Sequence, residues 1–229
     1  MTELYHYPLD PFSRRVRLQL AEINVEATLV DELPWERRHQ FLALNPAGTV
    51  PVLVETNGIA IAGLTAIVEF LDEAALETGT RCLTPGQRYG RAEVRRLVDW
   101  FDVKFNAEVT QPITYQKVHR RFMSNPQGGG GPDMSLVRAG KQNIGFHLAY
   151  IDYLVSSRSW LAGDEFSHAD LAAAAHLSCL DYTGDVPWAE HPGAKQWYVR
   201  IKSRPSFRPL LADHLRSLSP PPAYADLDF

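Results

Sequence analysis

The spacing of apolar positions changes about a third of the way along this chain. Up to residue 78, short alternating or aliphatic runs are interleaved with helical stripes. Glu3–Tyr7 alternates and is stopped by Pro8, and Val16 and Leu20 within Phe12–Glu22 lie four apart, as on one face of a helix. A second strand is predicted over Ala27–Leu33, which is rich in β-branched and aliphatic residues. The runs Thr49–Glu55 and Ile59–Ala62 flank Thr56-Asn57-Gly58, and Asn-Gly between two such runs is the strongest short-range signal for a hairpin. Leu64, Ile67, Val68 and Leu71 then recur at helical intervals. This order, β-α-β-β-β-α, predicts a small mixed sheet packed between helices.

After a Gly- and Pro-containing linker over residues 79–86 the strand signals fade. Val94, Leu97, Val98, Phe101 and Phe105 form one helical stripe, and Ile144, Leu148, Ile151 and Val155 form another. Between them, Ser124–Ser135 contains the run Gly128-Gly129-Gly130-Gly131 and reads as a flexible surface loop. Ser167-His168-Ala169-Asp170 opens an Ala-rich helix with a capping-box pattern. Two more helices are expected over Gly193–Lys202 and Ser206–Arg216. The predicted organisation is an N-terminal domain over 1–78, a linker over 79–86, an all-helical domain over 87–218 and a Pro-rich acidic tail over 219–229.

Composition excludes more than it identifies. With 229 residues and 45% apolar positions, the chain can build an ordinary globular core. Its two cysteines, Cys82 and Cys179, belong to no C-x-x-C or Cys/His cluster, so neither a disulfide framework nor a metal site is expected, and a reducing compartment fits best. No basic-then-apolar leader opens the chain and no apolar run approaches the roughly 18 residues of a membrane span, so a soluble, cytoplasmic protein is expected. The net charge of −4 favours neither nucleic acid nor membrane. Its distribution is uneven: residues 1–78 carry five Arg/Lys against twelve Asp/Glu, and residues 80–121 carry nine against four. The basic segment reads either as ordinary solvated faces or as a surface for an acidic partner.

Three stretches, in order, resemble glutathione transferases: Leu4–Leu18, which holds Pro11-Phe12-Ser13-Arg14-Arg15, Asn45–Leu53, which holds Val50-Pro51, and Leu161–Leu171, which holds Ser167-His168-Ala169-Asp170. The resemblance covers essentially Thr2 to Leu215. It implies a thioredoxin-like N-terminal domain joined to an all-helical C-terminal bundle. It also implies a cis proline at Pro51 that exposes the backbone of Val52 to an extended peptide such as glutathione, unless the turn is structural only. Ser13 falls at the family position that hydrogen-bonds the glutathione sulfur, where a hydroxyl and the helix dipole favour a thiolate; otherwise it is an ordinary cap. Tyr7 is the weaker alternative. Where glutathione-binding members carry Glu-Ser, this chain has Gly63-Leu64, which removes a charge-assisted contact of about 1.5–3 kcal/mol. Weak or absent glutathione binding is therefore expected, with Pro51 and Val52 marking a vestigial site and no cofactor.

The glycine-rich loop, the Ala169–Trp188 run and the tail are similar to an alphaproteobacterial branch of that family whose members bind the tubulin-like division protein FtsZ. The resemblance implies a non-enzymatic, homodimeric protein that binds FtsZ filaments at the division site and supports constriction. The alternative is a transferase that conjugates glutathione to hydrophobic electrophiles through Ser13. Candidate partner contacts are Trp35, unless it only packs over the sheet, and Lys117, Arg120 and Arg121, unless they form a solvated helix end. In the tail, Tyr224, Asp226, Asp228 and Phe229 suit a peptide read by a second division protein, unless the segment is a frayed end. The run Pro220-Pro221-Pro222 is expected to project the tail away from the bundle.

Overall fold

A computed structural model describes residues 1–80 and 82–227. The chain divides into two compact units, Met1–Leu83 and Thr84–Phe229.

Unit 1 runs β1 (Glu3–His6), α1 (Pro11–Glu22), β2 (Thr28–Asp31), a single 3-10 turn (Pro34–Glu36), α2 (His39–Leu44), β3 (Val52–Val54), β4 (Ala60–Ala62) and α3 (Leu64–Glu77). The sheet order is β2-β1-β3-β4. β1 and β2 are parallel, as a helical crossover requires, and β3 runs antiparallel to both β1 and β4 across the Asn57-Gly58 hairpin. β3 starts at Val52, later than the sequence pattern suggests; Pro51 has no amide to donate to a ladder, and the Val50–Pro51 bond is cis. Leu4 and Leu53 on the sheet meet Val16, Leu20 and Ile23 at α1 and Ile67, Leu71 and Ala75 of α3 in one buried cluster. Each such aliphatic side chain contributes about 1.5–3 kcal/mol through burial. The Gln19 amide ties the two helices together by donating to Val68 O at 3.0 Å.

The register places four turns together. Tyr5 faces Val52, Val52 faces Ala62, and His6 faces Asp31. The end of β1, the start of β3, the end of β4 and the end of β2 therefore share one end of the sheet. That end carries Tyr7–Ser13, Val50–Val52, Gly63–Leu64 and Trp35.

Unit 2 begins with α4 (Arg88–Asp99), which continues into a segment of wider π pitch (Trp100–Thr110), α5 (Gln111–Thr114), a second π segment (Tyr115–His119) and α6 (Arg120–Phe122). α7 (Met134–Val155), α8 (His168–Tyr182), α9 (Pro192–Lys202) and α10 (Arg208–Leu211) follow. α8 is buried from end to end, and its Ala172–Ala175 run lets neighbours approach it on all sides. Val94, Leu97, Phe101 and Phe105 are all buried, so the apolar stripe read from the sequence is a core face. Among the described residues no helix is long and apolar enough to cross a membrane.

Three expectations for unit 2 are corrected. The glycine-rich segment is pinned: Gly130 N donates to Arg120 O at 3.1 Å, and Asp133 N donates to the Gln116 side chain at 2.8 Å. Gly129 is obligatory there, since a Cβ would lie 2.0 Å from Met123 O. The tail does not project from the bundle. Pro221 has the expected polyproline geometry, yet the chain runs back over unit 2 and Tyr224 is fully buried. The expected last helix is also shorter, because the Leu215 amide bonds to the Tyr182 hydroxyl at 3.0 Å instead of to a helical carbonyl.

Candidate functional site

The four-turn end of the unit 1 sheet is the candidate site. α1 begins there with Pro11 in its first turn and Asp10 as its N-cap. The Asp10 carboxylate accepts from Ser13 N at 2.6 Å. Burial is the main cause that pushes its carboxyl up to about 6, against the opposing pull of the Ser13 hydrogen bonds. The residue occupying the start of the first helix is therefore an acid, which sequence reasoning missed. The signal was available, since Asp followed by Pro is a helix-start pattern, but the apolar spacing drew the predicted start to Phe12.

Ser13, the candidate partner of a glutathione sulfur, is held within the β1–α1 turn. It is fully buried in the first turn of the helix, and its Oγ accepts from Tyr7 N at 3.4 Å. The hydroxyl serves the β1–α1 turn. Tyr7 is also buried and packs edge-on against Trp35, with ring centroids 5.2 Å apart. Trp35 packs over the sheet end as one sequence reading had it, and it stays half-exposed as the other requires.

At the cis-proline turn, Val52 opens β3. Its backbone lies in the sheet, in register with Tyr5 on one side and Ala62 on the other. At the third turn, Gly63 adopts φ +94°, a conformation L side chains rarely hold, with nothing within 4 Å of where a Cβ would stand. Leu64 turns its side chain onto the hydrophobic cluster, and no side chain caps α3. At the start of α3 neither Gly63 nor Leu64 offers a polar side chain to hold a carboxylate, and Thr65 is exposed.

The predicted partner residues in unit 2 separate. Lys117 is committed internally: its Nζ donates to Asp185 Oδ2 at 2.6 Å and to Thr183 O at 3.0 Å, and Lys141 pairs with the other Asp185 oxygen at 2.9 Å. Arg120 is half-buried beside the glycine-rich segment and Arg121 is exposed. Tyr224, a predicted partner contact, is seated in a fully buried position against unit 2, while Asp226 and Leu227 are exposed. Asp228 and Phe229 lie outside the described residues.

This architecture and this sheet-end site define a glutathione transferase fold. The glutathione S-transferase N-terminal domain matches residues 11–74 and the C-terminal domain matches residues 114–205. The chain belongs to the glutathione S-transferase family. Within it, the chain is 44% identical to FtsZ-localized protein A of Caulobacter vibrioides, over 99% of this chain and 97% of that one. The solved structure of FzlA from C. crescentus superposes with a TM-score of 0.93 at 44% identity, covering 100% of this chain and 99% of that one. A glutathione S-transferase from Rhodospirillum rubrum F11 superposes with a TM-score of 0.95 at 50% identity, covering 100% of both chains.

Proposed function

We propose that this chain is an FtsZ-binding cell-division protein that keeps the transferase fold without conjugating glutathione. The observation that carries the partner is the full-length likeness to FtsZ-localized protein A. The site geometry supports the loss of chemistry. A thiolate needs a donor at the α1 start, and the group there is the Asp10 carboxylate, which accepts hydrogen bonds and repels an anion. The γ-glutamyl end meets Gly63 and Leu64, which offer no side-chain donor. Half-exposed Trp35 and exposed Arg121 and Asp226 are the accessible contacts left from the predicted set, and the protein works in the cytoplasm at the division site. Homodimer formation is supported by a solvent-facing aromatic row in unit 2, where Phe146 is 62% and Tyr153 is 71% exposed.

The test is co-sedimentation of the purified chain with GTP-polymerised FtsZ, alongside calorimetry with glutathione. Co-sedimentation is expected, weakened about ten-fold by Trp35→Ala and by raised salt, with no heat from glutathione at micromolar concentrations. No co-sedimentation together with micromolar glutathione binding would restore the transferase reading, which the open α3 amides favour.

A further inference from the structure

The C-terminal segment that folds back over unit 2 does so around a single buried side chain. The Tyr224 hydroxyl donates to Leu210 O at 2.9 Å, and its ring meets the Tyr182 ring edge-on at 5.1 Å. Tyr182 holds the base of the same segment, donating to Leu218 O at 2.8 Å and accepting from Leu215 N at 3.0 Å. Lys202, itself fully buried, donates to Ala223 O at 3.0 Å, lies 5.9 Å from the Tyr224 ring centroid and pairs with Asp181 at 3.7 Å.

Around these anchors the segment is lightly held. Pro222, Ala223 and Ala225 are exposed, and Pro220, Pro221 and Pro222 have no amide hydrogen with which to bond the bundle. The prolines also stiffen the strap, so Tyr224 reaches its seat from a chain already extended, and little ordering entropy opposes docking. A segment with one apolar anchor and few backbone hydrogen bonds opens by itself far more readily than the fully buried α8 beneath it.

We propose that residues 215–227 form a latch with two states, Tyr224 seated or withdrawn, whose opening leaves the helical bundle folded. When the latch is seated, the exposed peptide begins after Tyr224 beside Lys202. When it is withdrawn, Pro220 to Tyr224 join that peptide and extend its reach by roughly 15 Å. The latch thus sets how much of the tail a binding partner can grasp. It does not depend on the FtsZ reading and is tested on the purified chain alone.

Hydrogen–deuterium exchange of the full chain, read by mass spectrometry, decides it. Peptides covering residues 213–227 should exchange at least about ten-fold slower than an unstructured chain yet about a hundred-fold or more faster than those of α8. Tyr224→Phe, which loses only the bond to Leu210, should raise tail exchange several-fold. Tyr224→Ala should abolish tail protection and leave α8 and α9 unchanged. Tail exchange as slow as α8, or loss of α8 protection or of folding in Tyr224→Ala, would make the segment part of the core and overturn the latch. Unprotected exchange in the wild type would overturn it from the other side.

Discussion

The starts of α8 and α3 pose the same backbone problem and answer it in opposite ways. Every α-helix leaves its first amides without intrahelical partners. At α8 they are closed by side chains. Asp170 accepts from Ser167 N at 3.0 Å, completing the capping box, and its other oxygen accepts from Leu161 N at 3.0 Å and from the Trp197 indole at 2.9 Å. At α3, Gly63 offers no side chain and Thr65 and Ala66 are exposed, so water satisfies the amides. The difference is one of solvent access. A helix start inside the bundle must be closed by its own sequence, whereas one at the sheet end can be left for a ligand. In this chain neither Gly63 nor Leu64 puts a polar side chain at the open start, and the neighbouring α1 start is filled by Asp10.

The largest expected effect breaks the closed start. Asp170→Ala strands two backbone amides and an indole N–H in a site that water does not reach, each costing about 1–3 kcal/mol. A loss of about 3–5 kcal/mol is expected in urea denaturation, within reach of unfolding a domain of ordinary stability. Asp170→Asn keeps one acceptor oxygen and should recover part of it. If Asp170→Ala cost no more than a typical surface substitution, the contrast between the two helix starts would fail.

A smaller effect sharpens the open start. Gly63→Ala meets no neighbouring atom, so its cost is that of the φ +94° backbone alone, about 1–3 kcal/mol. Leu64→Ala, at a half-buried position, serves as a control for lost packing. Equal stability of Gly63→Ala and the wild type in the same denaturant series would show that the turn relaxes freely and that its glycine is incidental.

What the sequence revealed follows from the range of the interactions involved. The Asn57-Gly58 hairpin and the Ser167–Asp170 box are set within a few residues, and both form as their spacing predicts. The two-domain architecture was legible because helical stripes and alternating runs are local patterns with long reach. The fates of individual site residues were not. Lys117 looks like a surface cation until its acid arrives from 68 residues away. Tyr224 looks like a tail anchor until Leu210, fourteen residues back, receives its hydroxyl. Ser13 looks like a cap because hydroxyls favour helix starts, and the competing Asp10-Pro11 signal was outweighed by apolar spacing that starts at Phe12.

The smallest effect concerns that acid and is read by pH. The Asp10 carboxyl is raised by burial from an ordinary 3.8 to about 6. Between these values the folded chain holds a proton that the unfolded chain has released, so the folded state binds more protons and stability falls as pH rises. Below about 4 both states are protonated, and above about 6 both are ionised, so the Asp10 contribution is flat outside that window. Asp10→Asn keeps a capping oxygen for Ser13 N but carries no titrating group. Its stability relative to the wild type should therefore improve steadily from pH 4 to 6.5 and then level off. Allowing for solvent screening at this half-buried site, the change should be about 1 kcal/mol. Thermal melts of the two proteins in matched buffers across that range measure it. A difference that stays constant with pH would mean that Asp10 is ionised throughout, held by the amides of the α1 start. A carboxylate so well satisfied would still bar a thiolate, but burial would no longer be the reason it is there.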